Sequence, residues 1–232
     1  MKLLKLALKR ETAVPVLALM FASAMSVALI VARIASTGNI RYAFLAWNLF
    51  LAWLPLVFAL LACDKYSEGA RRNWHFRGLA AAWLLFFPNA PYIFTDVIHL
   101  TTGYYQHFWV DLMLILLCAV TGLVLGFLSL YLMQSVVMRM VGRLASWGFI
   151  AGVAGLSGFG IYLGRFLRFN SWDVLVKPVA LYRGIGAWAA QPFAHANAFA
   201  FPALFAAFLF TSYMMLYALT HLQQAQPVFS RE

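Results

Sequence analysis

Charged residues are scarce in this sequence. Of its 232 residues only 10% are Asp, Glu, Lys or Arg, whereas 64% are hydrophobic, and the mean hydropathy is +0.82. Because soluble domains contain about 25% charged residues, this composition excludes the ordinary soluble classes. Cysteine is scarce too. Cys63 and Cys118 both lie in apolar runs, which excludes a disulfide framework, and neither has metal-ligand spacing.

Long apolar runs occupy most of the chain. A helix needs roughly 20 apolar residues to cross the hydrocarbon core of a bilayer, so this chain can supply about six such helices with short loops. We predict an all-α polytopic integral membrane helix bundle, a single transmembrane domain over residues 1–232. Its predicted spans are about 14–35, 43–62, 78–94, 109–133, 147–163 and 196–220. The first run is long enough to favour an uncleaved anchor over a signal peptide.

Residues 174–190 are apolar but are interrupted by Lys177, Pro178 and Arg183. Burial of each cation in the bilayer costs roughly 2.5 to 3.5 kcal/mol. We therefore predict an interfacial helix here, and a seventh span is the alternative.

The Lys and Arg residues cluster between the apolar runs, which indicates membrane orientation and not a nucleic-acid partner. Eleven of the 17 lie in the two termini and in the loops after the even-numbered spans, and six lie on the opposite side. Cytoplasmic loops are enriched in these residues. We expect a multi-pass protein of the bacterial cytoplasmic (inner) membrane with both termini in the cytoplasm, although the loop after the fifth span has four cations and opposes this assignment.

With this orientation, polar residues from five separate stretches lie at the outward ends of the spans, and no charged residue lies at the middle of a span. This distribution argues against an ion pathway through the bilayer centre and predicts a shallow polar site facing outward. The candidate site residues are Asn48, Asn89, Tyr92, Asp96, His99, Asp111, Tyr162, Arg165, Arg168, Asn170 and Asp173.

Two prolines, Pro88 and Pro91, lie three residues apart in the third predicted span. Proline lacks an amide donor and clashes with the preceding turn, so the helix is expected to kink or break there. The released carbonyl groups need donors in lipid, and the side-chain amides of Asn89 and Asn48 can supply them. Repair of the kink and binding of a ligand are equally consistent with these two asparagines.

Two charged groups suggest chemistry. Asp96 and His99 share a helical face, and with Asp111 from the far side of the third loop they could form a divalent-metal set. No other cofactor is predicted. Arg165 and Arg168 also share a face, and their guanidinium groups suit a carboxylate or a phosphate. They neutralise Asp96 and Asp111 within the fold, bind an anionic lipid headgroup or take part in catalysis.

Glycines recur at four-residue spacing in the fourth and fifth predicted spans, where a missing side chain lets two helices approach closely. The pairs are Gly122 and Gly126, Gly148 and Gly152, and Gly160 and Gly164. We expect these two spans to pack tightly, and the same faces could contact a second copy or a partner subunit.

Four stretches together resemble a bacterial membrane family, the domain of unknown function numbered thirteen-sixty-one. They are residues 47–55, 86–99, 109–111 and 160–173, the last reading Gly-Ile-Tyr-Leu-Gly-Arg-Phe-Leu-Arg-Phe-Asn-Ser-Trp-Asp. The resemblance covers roughly residues 40 to 220. It implies a multi-spanning membrane protein and no assigned reaction, cofactor or catalytic residue.

The sequence thus supports an integral membrane protein whose outward polar site recognises or processes a lipid-linked or envelope-side anionic molecule. Two other classes stay open. One is a metal-assisted hydrolase in which Asp96, His99 and Asp111 hold an ion that activates water. The other is a non-enzymatic subunit of a membrane complex. Whether the chain is an enzyme is not decided by the sequence.

Overall fold

A computed structural model describes residues 13–67, 74–102, 107–190 and 196–222. These residues are helical without a strand, which confirms the predicted all-α class. The chain divides into two compact units, Met1–Ser146 and Trp147–Glu232. Much of the orientation prediction falls on residues 1–12 and 68–73, which lie outside the described residues.

Five helical segments among the described residues are long and apolar enough to cross a membrane. They are Ala13–Thr37, Ile40–Ser67, Phe108–Val141, Arg143–Phe166 and Phe199–Thr220. Each overlaps a predicted span, although Phe108–Val141 is longer than the predicted 109–133. The protein is therefore an all-α membrane bundle.

Among its described residues, the first unit has five α-helices and two 3₁₀ segments. Helix α1 is Ala13–Thr37, and a 3₁₀ turn at Ile40–Tyr42 leads into α2, Ala43–Ser67. Helix α3 is Trp74–Phe86, α4 is Asn89–Tyr92, and a 3₁₀ helix follows at Ile93–Thr102. Helix α5 is Phe108–Val141. The apolar core of the first unit lies between α1, α2, α4, the 3₁₀ helix and α5.

The third predicted span, 78–94, is broken into three pieces at the prolines. Helix α3 ends at Phe86, and α4 and the 3₁₀ helix follow. At 1.5 Å per residue α3 is only about 20 Å long, short of the roughly 30 Å hydrocarbon core. Because Pro88 and Pro91 donate no amide hydrogen bond, the regular ladder cannot continue through them. The expected break is therefore present, and it is complete enough to divide the span.

The broken segment runs from one end of the unit to the other. Near its start the ring of Phe76 lies 6.0 Å from that of Tyr66, at the end of α2. Near its finish Asp96 accepts a hydrogen bond from Asn48, at the beginning of α2. The segment is thus antiparallel to α2.

The end of the unit that holds Arg33, Asn48, Asp96 and Asp111 is here called the polar end. The carboxyl terminus of α1, the amino termini of α2 and α5, and the 3₁₀ helix all meet there.

Gly122 and Gly126 in α5 contact the broken segment. A Cβ at Gly122 would lie 2.6 Å from the backbone oxygen of Ala90, and one at Gly126 would lie 3.0 Å from the Cβ of Ala90. The close packing expected at this pair is present, but the partner is α4. The assignment of these glycines to an interface with the fifth span was wrong, because the broken third segment occupies the groove. Gly148 and Gly152 have no such neighbour within 4 Å.

Polar side chains inside the first unit have partners close by. The hydroxyls of Ser26 and Thr121 donate to carbonyl oxygens one turn earlier, at 2.8 Å and 2.7 Å. The indole N–H of Trp83 donates to Ser129 over 3.1 Å, which joins α3 to α5. Such bonds keep polar groups satisfied in an apolar interior.

In the second unit, α6 is Arg143–Phe166, α7 is Asp173–Val176, α8 is Pro178–Ala190 and α9 is Ala196–Leu222. Gly158 lies directly against the backbone oxygen of Pro202, which fixes the approach of α6 and α9. Trp188 of α8 packs on the rings of Phe159 and Phe199, with centroids 4.8 Å and 4.3 Å away.

Helix α8 corresponds to the segment predicted to lie in the membrane interface. Val179 and Tyr182 are exposed there, near Lys177 and Arg183.

Candidate functional site

A cavity of about 160 Å³ opens at the polar end of the first unit. It is formed by the last turns of α1, the 3₁₀ turn and the beginning of α5. Its lining residues carry two guanidinium groups, one carboxylate, one imidazole and several neutral polar groups: Arg33, Thr37, Asn39, Arg41, Tyr42, His107 and Asp111.

Arg33 and Asp111 form a two-pronged ion pair in this wall. Nε of Arg33 donates to Oδ1 of Asp111 at 2.6 Å, and Nη2 donates to Oδ2 at 3.2 Å. The two side chains are only 13% and 7% exposed. Bidentate geometry of this kind fixes both side chains, so the pair ties α1 to α5 and holds the Arg33 guanidinium in the cavity wall.

Arg41 forms another part of the wall. Its Nη2 donates to the backbone oxygen of His99 at 2.7 Å, and its guanidinium carbon lies 5.7 Å above the ring of Tyr42. The 3₁₀ turn that places Arg41 begins at Asn39, whose side-chain oxygen accepts from the backbone N–H of Arg41 at 2.9 Å. Local capping and the bond to His99 therefore position this cation at the cavity.

Asp96 and His99 lie beside the cavity wall, in the 3₁₀ helix. Asp96 is completely buried, and its Oδ2 accepts from the side-chain amide of Asn48 at 2.9 Å. Its Oδ1 lies 3.8 Å from Nε2 of His99, whose side chain is 38% exposed. The ring of Phe44 lies 4.9 Å from that of His99. The structure therefore brings together three of the predicted site residues, Asn48, Asp96 and His99.

The described residues contain no group of three His, Cys, Asp or Glu side chains arranged to hold a metal ion. Asp96 and His99 are close, as their spacing indicates, but the carboxylate of Asp111 is held by Arg33. The three-ligand set of Asp96, His99 and Asp111 is therefore not assembled.

Asn89 and Tyr92 lie at the break itself. The amide of Asn89 donates to the backbone oxygen of Phe86 at 3.0 Å, and the hydroxyl of Thr95 donates to the oxygen of Tyr92 at 2.7 Å. These are bonds to carbonyl groups beside the proline break, which is the repair role considered for Asn89.

The other five predicted residues lie in the second unit, around the end of α6. Tyr162 is buried and stacks on Phe166 with ring centroids 4.9 Å apart, and Arg165 is half-buried in the last turn. Asp173 is 4% exposed, and its Oδ2 accepts from the backbone N–H of Asn170 at 2.7 Å. Asp173 thus fixes the loop into α7.

Arg168 has an unusual backbone conformation in that loop. Its φ is +58°, and the backbone N–H of Phe169 donates to the oxygen of Leu163 at 3.1 Å. This bond joins residues six positions apart at the carboxyl end of α6. Glycine is usual at a position with such a φ after a helix, because glycine alone enters the left-handed region without steric cost. The exposed side chain of Arg168 is placed by this turn.

Four residues of the cavity wall were not among the predicted site residues: Arg33, Arg41, Tyr42 and His107. Arg33 and Arg41 entered only as topology markers. A signal was present for Arg33, since a cation near the end of an apolar span commonly has a partner within the bundle. The identity of that partner, 78 residues away, requires the packing of α1 against α5.

These features define an integral membrane protein of the all-α class with a polar site where several helix ends meet. The family model described as protein of unknown function DUF1361 matches residues 47–212, and the chain belongs to that family. The match includes Asp96, His99 and Asp111 but begins after Arg33 and Arg41. No curated protein and no solved structure matches the chain.

Proposed function

We propose that this protein is a multi-pass protein of the bacterial cytoplasmic membrane that binds an anionic group of a lipid-linked or envelope-side molecule at the polar end of its first unit. The observation behind this proposal is the cavity lined by Arg33 and Arg41. Binding is the function proposed, with or without a subsequent reaction.

The proposed topology has six crossings and both termini in the cytoplasm. Five crossings are the long apolar helices, and the sixth is the broken segment α3, α4 and 3₁₀ helix, which runs antiparallel to α2. An even number of crossings agrees with the distribution of Lys and Arg, with eleven on the side of the termini. The polar end would then face the envelope.

The chemistry of the cavity favours an anion. Its lining contains two guanidinium groups against one carboxylate, and guanidinium groups bind phosphate or carboxylate through parallel N–H donors. Asn39, Thr37 and His107 add further hydrogen-bonding groups around them. Asp111 orients Arg33, and the backbone oxygen of His99 accepts a hydrogen bond from Arg41.

The test uses the full-length protein in detergent, loaded with phosphatidylglycerol or with phosphatidylcholine and analysed by native mass spectrometry. We expect preferential retention of phosphatidylglycerol. Arg41→Gln should reduce that retention about tenfold, because a hydrogen bond to a charged group contributes about 1.5 to 3 kcal/mol.

Arg139→Gln is the matched control, since it removes the same charge from an exposed position at the far end of α5. Equal retention in both variants would show general surface attraction and refute the site. Competition by glycerol phosphate separates the two sources of the anion: displacement of the lipid indicates a soluble phosphate ligand, and persistence of the lipid indicates a headgroup with its chains.

A further inference from the structure

We propose that Asp96 and His99 form a proton-exchanging pair at the polar end, with His99 as the group that gives or takes the proton and Asp96 as its positioning residue. This adds acid–base chemistry to the anion site. It depends on the proposed function only for the molecule that would receive the proton.

The position of Asp96 is fixed by the helix break. Ala90 and Ile93 lie against Gly122, where a Cβ would come within 2.9 Å of the Ile93 side chain. The backbone that leads to Asp96 is thus seated in a groove of α5, and the carboxylate is completely buried. A buried carboxylate in a membrane bundle is costly, and such residues are commonly functional.

The two oxygens of Asp96 have different neighbours. Oδ2 accepts from the neutral amide of Asn48 at 2.9 Å, and Oδ1 faces Nε2 of His99 at 3.8 Å. The amide fixes the carboxylate through a hydrogen bond, whereas the imidazole lies at ion-pair distance and interacts with the carboxylate through its charge when it is protonated.

His99 connects this buried acid to the outside. Its side chain is 38% exposed although its partner is completely buried. The ring packs on Phe44, and Arg41 holds the backbone oxygen of His99. A buried carboxylate that orients a half-exposed imidazole is the arrangement that general acid–base sites use.

One proton held by either Asp96 or His99 leaves the pair electrically neutral. Carboxylate with imidazolium and carboxylic acid with neutral imidazole both have zero net charge, so transfer of the proton between the two groups leaves no uncompensated charge in a dry site. The negative charge of the Asp96 carboxylate favours the imidazolium form of His99, whereas the positive charge of Arg41 disfavours that form. Among the described residues, other ionisable groups nearby include Cys118 on α5, which interacts with Asp96, and the lining residues Arg33, Tyr42, His107 and Asp111.

The chemistry needs no further reagent. The imidazolium of His99 gives its proton to a bound oxygen or nitrogen atom, and neutral His99 then regains a proton from water. No bond between heavy atoms is formed by the pair itself, and nothing is oxidised or reduced.

The experiment measures modification of each histidine by diethyl pyrocarbonate, which reacts with neutral imidazole, in the full-length protein without added lipid. Peptide mass spectrometry across a pH series gives the pH midpoint for His99, with His107 as internal reference. Asp96→Asn should lower the midpoint of His99, because loss of the carboxylate removes the charge that stabilises the imidazolium. The midpoint of His107 should change little.

Asp173→Asn is the matched control, because it neutralises another buried carboxylate in the second unit. It should leave His99 unchanged. An unchanged His99 midpoint in Asp96→Asn would overturn the pair.

If Asp96→Asn does not fold, His99→Gln provides the second measurement. Infrared spectroscopy follows the carbonyl band of the protonated Asp96 carboxyl group across a pH series. The pH midpoint at which this band disappears should be higher in His99→Gln, since Asp96 loses its cationic neighbour. The same titration in both proteins would refute the proposal. If the earlier test shows no selectivity for phosphatidylglycerol, the proposed anion site is refuted. These titrations would still test the Asp96–His99 pair.

Discussion

The groove that seats the broken segment gives a sharp test of the fold, through Gly122→Ala. A Cβ at Gly122 would lie 2.6 Å from the backbone oxygen of Ala90 and 2.9 Å from Cδ1 of Ile93. The side chain of Ile93 can rotate, but the backbone oxygen can move only with α4. The substitution should therefore push α4 and the 3₁₀ helix away from α5.

The expected loss combines two opposing effects. Overpacking of a close contact costs typically 1 to 3 kcal/mol, whereas alanine in place of glycine within a helix favours folding by roughly 0.5 to 1 kcal/mol. We expect a net destabilisation of about 1 to 2 kcal/mol. Displacement of Asp96 should also weaken its bond to Asn48.

Gly148→Ala is the control, since Gly148 is also inside a helix but has no neighbour within 4 Å of its Cβ position. It should leave the free energy of unfolding unchanged or slightly higher. Both variants are compared by loss of helical circular dichroism as sodium dodecyl sulfate replaces a mild detergent. Equal stability of Gly122→Ala and the parent would refute the packing of α4 in the groove.

Two further predictions concern single contacts. Arg33→Gln or Asp111→Asn should destabilise the protein by up to about 3 kcal/mol, because a single change leaves one partially buried charge unpaired. The double variant should recover much of that loss. If the same unfolding assay shows the double variant to be as unstable as the sum of the single variants, the pair is excluded. Arg168→Gly should raise the free energy of unfolding by about 1 kcal/mol, since glycine adopts positive φ without strain, whereas Arg168→Ala keeps the strain, and an equal gain in both would show that removal of the charge is responsible.

The prolines illustrate how far local sequence can predict this fold. Pro88 and Pro91 interrupt the helix whatever packs around them, because each lacks an amide donor, and the break is present where the sequence places it. The sequence does not reveal that the pieces pack into the groove of α5. That outcome depends on Gly122 and Gly126 lying opposite Ala90, a relation between residues more than 30 positions apart.

The candidate site was likewise predicted only in part from the sequence. Asn48, Asp96 and His99 were selected from their predicted position near the ends of spans, and the structure brings them into contact. The partner of Asp111 was missed. Arg165 was considered as its neutraliser, but Arg33 forms the ion pair with it.

The membrane class, the helical content and the break were predictable from the sequence, because each follows from hydropathy and from backbone chemistry within a few residues. Which helix ends adjoin depends on the packing of the whole fold, and so do the charge pairs and the position of the cavity. Hydropathy indicates that a polar residue lies near the end of a span. It does not indicate how the helix is rotated about its axis, and so which neighbour the residue faces. The pairing of Arg33 with Asp111 and of Asp96 with His99 depends on those rotations, which are set by side-chain packing between the helices.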